Sequence, residues 1–212
     1  MFERYFAQFQ IVRDRAVLGD LFQTDSLYLD AGASLAMRGR IVLAPNVIFA
    51  GNCTLDGPAL IEAGSHLTNV ELGPESRVRA HSVLSDLKAG QRNLFGPFCF
   101  VRDGCRVGDD VILGAHVEAA RSLFASGVKV SHHAFIGDAE VGRDTILGAS
   151  TVFCNYVREG GRQQARIGAD VMVGSGTMLV APLAIGDGAT IGAGSVISKD
   201  VPAGARIIQK RS

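Results

Sequence analysis

From Ile167 onward an aliphatic residue returns every six positions: Ile167, Val173, Leu179, Ile185, Ile191 and Ile197. Four of them are followed directly by glycine, at Gly168, Gly174, Gly186 and Gly192. Four positions after each aliphatic stands a compact or apolar residue: Val171, Thr177, Leu183, Ala189 and Ser195. The same register runs earlier through Leu43, Phe49, Leu55, Ile61 and Leu67, then Leu72, Val78 and Leu84. It resumes at Phe95, Val101, Val107 and Leu113, and again at Val141, Leu147 and Phe153. A period of six is neither the 3.6 of a helix nor the 2 of a lone strand. It is a signature of parallel β-helices, in which each repeat supplies one short strand and one turn. Three repeats, about 18 residues, then close a triangular coil with the aliphatic side chains stacked inside. The 26 glycines suit the corners, where positive φ strains a residue carrying a Cβ. The fold expected is all-β.

Breaks in the register mark where the coil is decorated. Leu67 to Leu72 and Ile136 to Val141 are five apart, so each drops a residue. Extra, largely polar residues separate Phe153 from Ile167 and read as a loop at about 155–166, of the kind that carries function. Near the start, Phe2, Phe6, Phe9 and Val12, with Tyr5 beside them, are spaced for one face of a short amphipathic helix. The expected organisation is a part-helical segment over 1–37 and a β-helix domain over 38–212.

Twenty-one basic residues balance twenty-one acidic ones, which argues against nucleic acid as a partner. No uninterrupted apolar run approaches the length of a membrane span, and Met1-Phe2-Glu3-Arg4 lacks a signal-peptide layout. The expectation is a cytoplasmic protein without membrane partners. The cysteines Cys53, Cys99, Cys105 and Cys154 fit no zinc spacing, and Cys99 and Cys105 read as small core residues.

Several strings resemble a known family. They are the Gly96-Pro97-Phe98 run followed by Val101-Arg102-Asp103-Gly104, then Gly137-Asp138-Ala139-Glu140, Cys154-Asn155-Tyr156, and Leu179-Val180-Ala181-Pro182. Over about residues 38–212 the chain resembles the acetyltransferase domain of the bifunctional bacterial glucosamine-1-phosphate acetyltransferase and N-acetylglucosamine-1-phosphate uridylyltransferase. No Gly-rich nucleotide-binding start precedes the repeats, so the uridylyltransferase half is expected to be missing. The resemblance implies a left-handed β-helix, a homotrimer, and acetyl transfer from acetyl-CoA, as co-substrate, to a small amine, with no metal required.

It also implies roles for single residues. His132 falls on the catalytic histidine, a general base for the acceptor amine; an ammonium must lose a proton before it attacks, and imidazole titrates near neutrality. By sequence alone, His132-His133 reads first as a polar pair at a turn. Asn155 and Tyr156 match contacts to acetyl-CoA. Ala149 matches a residue whose backbone lies against the thioester, where an N–H stabilises a developing oxyanion. Ser175 and Ala193 match further coenzyme contacts, and Lys210 stands where an arginine lies near the coenzyme phosphates. Singly, each small residue also fits plain turn packing.

The acceptor side departs from the pattern. Arg102 is retained as the residue gripping the substrate, but Ala120 replaces a lysine, Phe135 a tyrosine and Ile146 an asparagine. Arg162 is at best a substitute for a second lysine, in the loop. Lost polar contacts alter specificity strongly, so an amino sugar, sugar phosphate or another small amine all remain open as acceptor. Two other classes stand beside the transferase. One is a catalytically silent β-helix scaffold. The other is a zinc enzyme, although His66, His81, His116, His132 and His133 include no pair five apart.

Overall fold

The computed structural model describes residues 9–12 and 27–209. From Leu27 the chain winds as a parallel β-solenoid with three flat faces. Face one includes Phe100–Arg102, Glu118–Ala120, Phe135–Gly137, Val152–Cys154 and Met178–Val180, each strand hydrogen-bonded to the next. Face two includes Arg106–Val107, Leu123–Phe124, Ala139–Val141 and Ala165–Ile167. Face three includes Leu94–Phe95, Ile112–Ala115, Lys129–His132, Ile146–Leu147 and Met172–Val173.

The hexapeptide register is the core. Every aliphatic or aromatic residue in the series above is buried, from Leu43 through Phe95 to Ile197, and so are Val171, Thr177, Leu183, Ala189 and Ser195. Burying a side chain of leucine or isoleucine size contributes roughly 1.5–3 kcal/mol, so the stacked column supplies the main drive to fold. The buried hydroxyls of Thr145, Thr151 and Thr177 donate to the carbonyls of Gly168, Gly148 and Gly174, so no polar cost is left open. Cys99 and Cys105 are buried free thiols, and burial pushes Cys99 up to about 12.

Coil length varies at one corner. Glu118 pairs with Phe135 and Phe135 with Val152, steps of 17, whereas Phe100 pairs with Glu118, a step of 18. Where the coil is short, the corner from face one to face two turns on a single left-handed residue: Asn69, Asp86, Arg121 or Asp138. Asn and Asp tolerate that conformation better than other side chains do. The slips at Leu67 and Ile136 are two of these corners. Val152 pairs with Met178, a step of 26, because an antiparallel hairpin of Tyr156–Val157 with Gly161–Arg162 leaves the coil between them.

Among the described residues the edge of face one is met at both ends. Phe9–Val12 forms a strand antiparallel to Leu27–Asp30, so Phe9 and Val12 belong to a strand and not to the expected helix. Phe2, Tyr5 and Phe6 lie outside the described residues, which contain no helix. Pairing with the edge of the first coil is the physical reason that strand geometry prevails at Phe9–Val12. At the other end, the Gln209 side chain accepts from the Val196 N–H (3.1 Å) and donates to its carbonyl (2.9 Å), standing in for a further strand.

Candidate active site

The expected site residues fall on the two edges of face one. His132, Ala149, Ser175 and Ala193 occupy the same place in successive coils, at the corner from face three to face one. Each directly precedes a left-handed residue: His133, Ser150, Gly176 and Gly194. Backbone bonds tie the corners together: Ser150 N–H to the His132 carbonyl (3.4 Å), Gly176 to Ala149 (2.7 Å) and Gly194 to Ser175 (2.8 Å). Four residues far apart in sequence thus form one straight column.

Part of that column's backbone is left without a protein acceptor. On the corner from face two to face three, three of the equivalent N–H groups are capped by side chains of the next coil, and those of Ser126, Arg143, Asp187 and Ala203 have no acceptor among the described residues. Gln91 and Ala169 donate to Asp109 and Asp187, and Asp109 donates to Ser126. Among the described residues the N–H groups of Ala149, Ser175 and Ala193 have no such acceptor. Backbone donors demand partners, so this edge presents a row of unused ones. Glycine keeps them accessible and close: a Cβ on Gly174 would strike the Ala193 backbone. His132 is exposed at the head of the row.

Arg102, Asn155 and Tyr156 lie at the other edge of face one, where the hairpin leaves. Tyr156 is exposed, and the Asn155 amide donates to Asp138 (2.5 Å). Arg102 does not present a free fork. It donates to Glu118 (2.7 Å) and to Asp103. Arg121 bridges the same Asp103 (2.6 Å) and grips Asp138 with two bonds (2.7 and 3.0 Å), and Arg162 lies 3.9 Å from Asp138. Burial works against ionisation of Asp138, but bonds from Arg121 and Asn155 and the nearby guanidinium charges hold it below the ordinary carboxylate range. Three cations and three carboxylates therefore neutralise one another.

The altered acceptor positions separate. Ala120 is fully buried between Arg102 and Gly137 in the sheet register, Phe135 is half-buried on face one, and Ile146 sits on face three. Lys210 lies outside the described residues. No group of three or more His, Cys, Asp or Glu among the described residues is arranged to hold a metal. A groove of about 890 Å³ runs along face two between Arg106 and Asp200 and contains none of the expected site residues. The sequence reading missed a column of stacked rings, His81, Phe98, His116 and His133, which runs into the His132 corner. Its only sequence signal is the recurrence of rings at steps of 17 or 18.

Comparison with known proteins agrees with the repeat. Residues 164–199 match the family described as bacterial transferase hexapeptide (six repeats). The chain is 37% identical over 179 residues to bifunctional protein GlmU of Acinetobacter baylyi, covering 84% of this chain and 39% of that protein. It is 34% identical over 209 residues to bifunctional protein GlmU of Pelobacter propionicus, covering 95% of this chain and 43% of that one. It thus spans about two fifths of the length of these curated relatives. Among solved structures, an Arabidopsis UDP-N-acetylglucosamine acyltransferase shares the fold, with TM-score 0.58, 17% identity, and coverage of 84% of this chain and 67% of that one. The chain is similar to the C-terminal portion of bifunctional protein GlmU, built as a hexapeptide-repeat β-solenoid.

Proposed function

We propose that the chain, through residues 38–212, is an acetyl-CoA-dependent N-acetyltransferase acting on a small amine. The observation that carries this is the row of unused N–H groups at Ala149, Ser175 and Ala193, headed by His132. Such a row fits the amide carbonyls of a pantetheine arm. Acetyl-CoA supplies the activated thioester. His132 takes a proton from the acceptor ammonium, freeing the lone pair that attacks the carbonyl carbon. The Ala149 N–H, one coil below, faces the oxygen where negative charge gathers. The C–S bond then breaks, and the thiolate leaves with a proton as the N-acetyl product forms. Lys210 adds charge for the coenzyme phosphates.

The coil is taken as left-handed, and the working unit as a cytoplasmic homotrimer. Face one supports that assembly. Its outward column includes Phe100 and Met178, and Val196 is 52% exposed, unusual for an apolar residue in a sheet that meets only water. Three copies joined around face one bring the His132 edge of one chain to the Asn155 and Tyr156 edge of the next. That explains why a single chain separates them.

At the acceptor side, Arg102 is already committed to Glu118 and Asp103, and the family lysine is a buried alanine. The pocket favours an amine without a phosphate. Thermal melting with acetyl-CoA, followed by mass spectrometry of amines incubated with it, tests the assignment. A raised Tm and an acetylated amine support it. No shift at millimolar coenzyme and no product supports the silent scaffold instead.

A further inference from the structure

The ring column that runs into the His132 corner is not explained by folding. Centroids of His81, Phe98, His116 and His133 are 5.4, 5.1 and 4.8 Å apart in turn, with planes within 18° of parallel. All four are exposed, Phe98 by 51%. Elsewhere in the same column the left-handed place is held by Asn46, Gly64, Ser150, Gly176 and Gly194, so the corner has no need of a ring.

The rings lean toward the N-terminal coils. The imidazole of His81 fills the space that a Cβ on Gly64 would take. Each ring therefore lies against the one before it, and the last, His133, has one face turned toward the coil of Ser150. Ser150 carries no ring, and Gly176 and Gly194 follow it. The His132 ring stands edge-on to His133, with centroids 5.9 Å apart. A flat ring fits this place as the next rung, its substituent beside His132.

The donor does not fill it. The reactive end of acetyl-CoA is an open chain, laid by the reading above along Ala149, Ser175 and Ala193. The ring belongs to the acceptor. We propose that His133 is a specificity-determining residue that holds the acceptor by stacking on its ring, and so selects amines borne on rings over open-chain amines. This rests on the acetyltransferase reading. The π face of imidazole suits either the C–H face of a pyranose or an aromatic ring in offset stacking.

The test compares glucosamine with glucosaminitol, its reduced open-chain form, and adds 4-aminophenol as an aromatic acceptor. Initial rates are measured for the parent, His133→Asn and His133→Phe. Asn removes the ring while tolerating the left-handed backbone, Phe keeps the ring without its nitrogens, and melting curves check that both fold. The parent should prefer glucosamine. His133→Asn should lower kcat/KM for ring acceptors by about 3- to 10-fold, the range a single ring contact supports. The loss should lie in KM, leave glucosaminitol unchanged, and be rescued in His133→Phe. The better of glucosamine and 4-aminophenol identifies the ring as pyranose or aromatic. Equal losses on ring and open-chain acceptors, or no loss in His133→Asn, would overturn the proposal while leaving the transferase reading intact. A parent that acetylates no amine overturns both.

Discussion

Ser150 donates its backbone N–H to the carbonyl of His132, and that bond places Ala149 one coil on from His132 at the same corner. An imidazole and an unused N–H donor are thereby held on one edge by the repeat itself. No flexible loop intervenes. The geometry recurs at Ser175 and Ala193, so donor spacing along the edge follows the rise of the coil.

The unused donors can be removed singly. Pro45 stands in the same corner place, before Asn46, so the backbone there accepts proline. Gly174, which precedes Ser175, tolerates the restriction proline imposes on its neighbour. Ser175→Pro should weaken acetyl-CoA binding by about 3- to 10-fold, the net value of one hydrogen bond, and leave Tm nearly unchanged. Isothermal titration and melting check both; an unchanged Kd would remove Ser175 from the coenzyme site.

The balanced charges around Arg102 bear on acceptor choice. Glucosamine 1-phosphate would have to displace Glu118 or Asp103 from Arg102 without help from position 120. Its kcat/KM should fall below that of glucosamine, and Ala120→Lys should narrow the gap. Efficient turnover of the phosphate by the parent would show that the ion pairs open readily.

Much of this was legible in the sequence, and the reasons are physical. The six-residue aliphatic period reports the core directly, because each buried position is met once per strand. Ala149, Ser175 and Ala193 came only through resemblance, since a small residue before a turn carries no chemical mark. The ring column escaped because its rungs are 17 or 18 residues apart, too distant to read as a motif until the coils stack. The ion pairs of Arg102 were hidden likewise: Asp103 is its neighbour in sequence, but Glu118 meets it only across the sheet. The strand at Phe9–Val12 was misread because four residues with apolar ends fit either period, and pairing with Leu27–Asp30 decided it.

Asp138 predicts an acid sensitivity. Its carboxylate is held below the ordinary range in the folded chain. Its stabilisation is therefore complete above the ordinary carboxylate value near 4 and is lost as pH falls through the lower folded value. The Tm difference between parent and Asp138→Asn should be constant above about pH 5 and shrink below about pH 4. A difference that grows on acidification would contradict the ion-paired state.

Gln209 closes the last coil through both polar groups of Val196. Gln209→Ala should cost about 1 kcal/mol, seen as a Tm lower by about 2–4 °C. Amide exchange should quicken at Val196 and change little at Leu113. Uniform loss of protection along the solenoid would mean that the end cap is not a local device.

The most direct measurement is acetyl transfer by His132→Ala beside acetyl-CoA affinity in the same variant. If His132 is the base, transfer should fall by about 100-fold or more, since general-base catalysis supplies about 10²–10⁴. The coenzyme Kd should stay within about twofold, because the donor row at Ala149, Ser175 and Ala193 is intact. Transfer at the parental rate in His132→Ala would contradict the account.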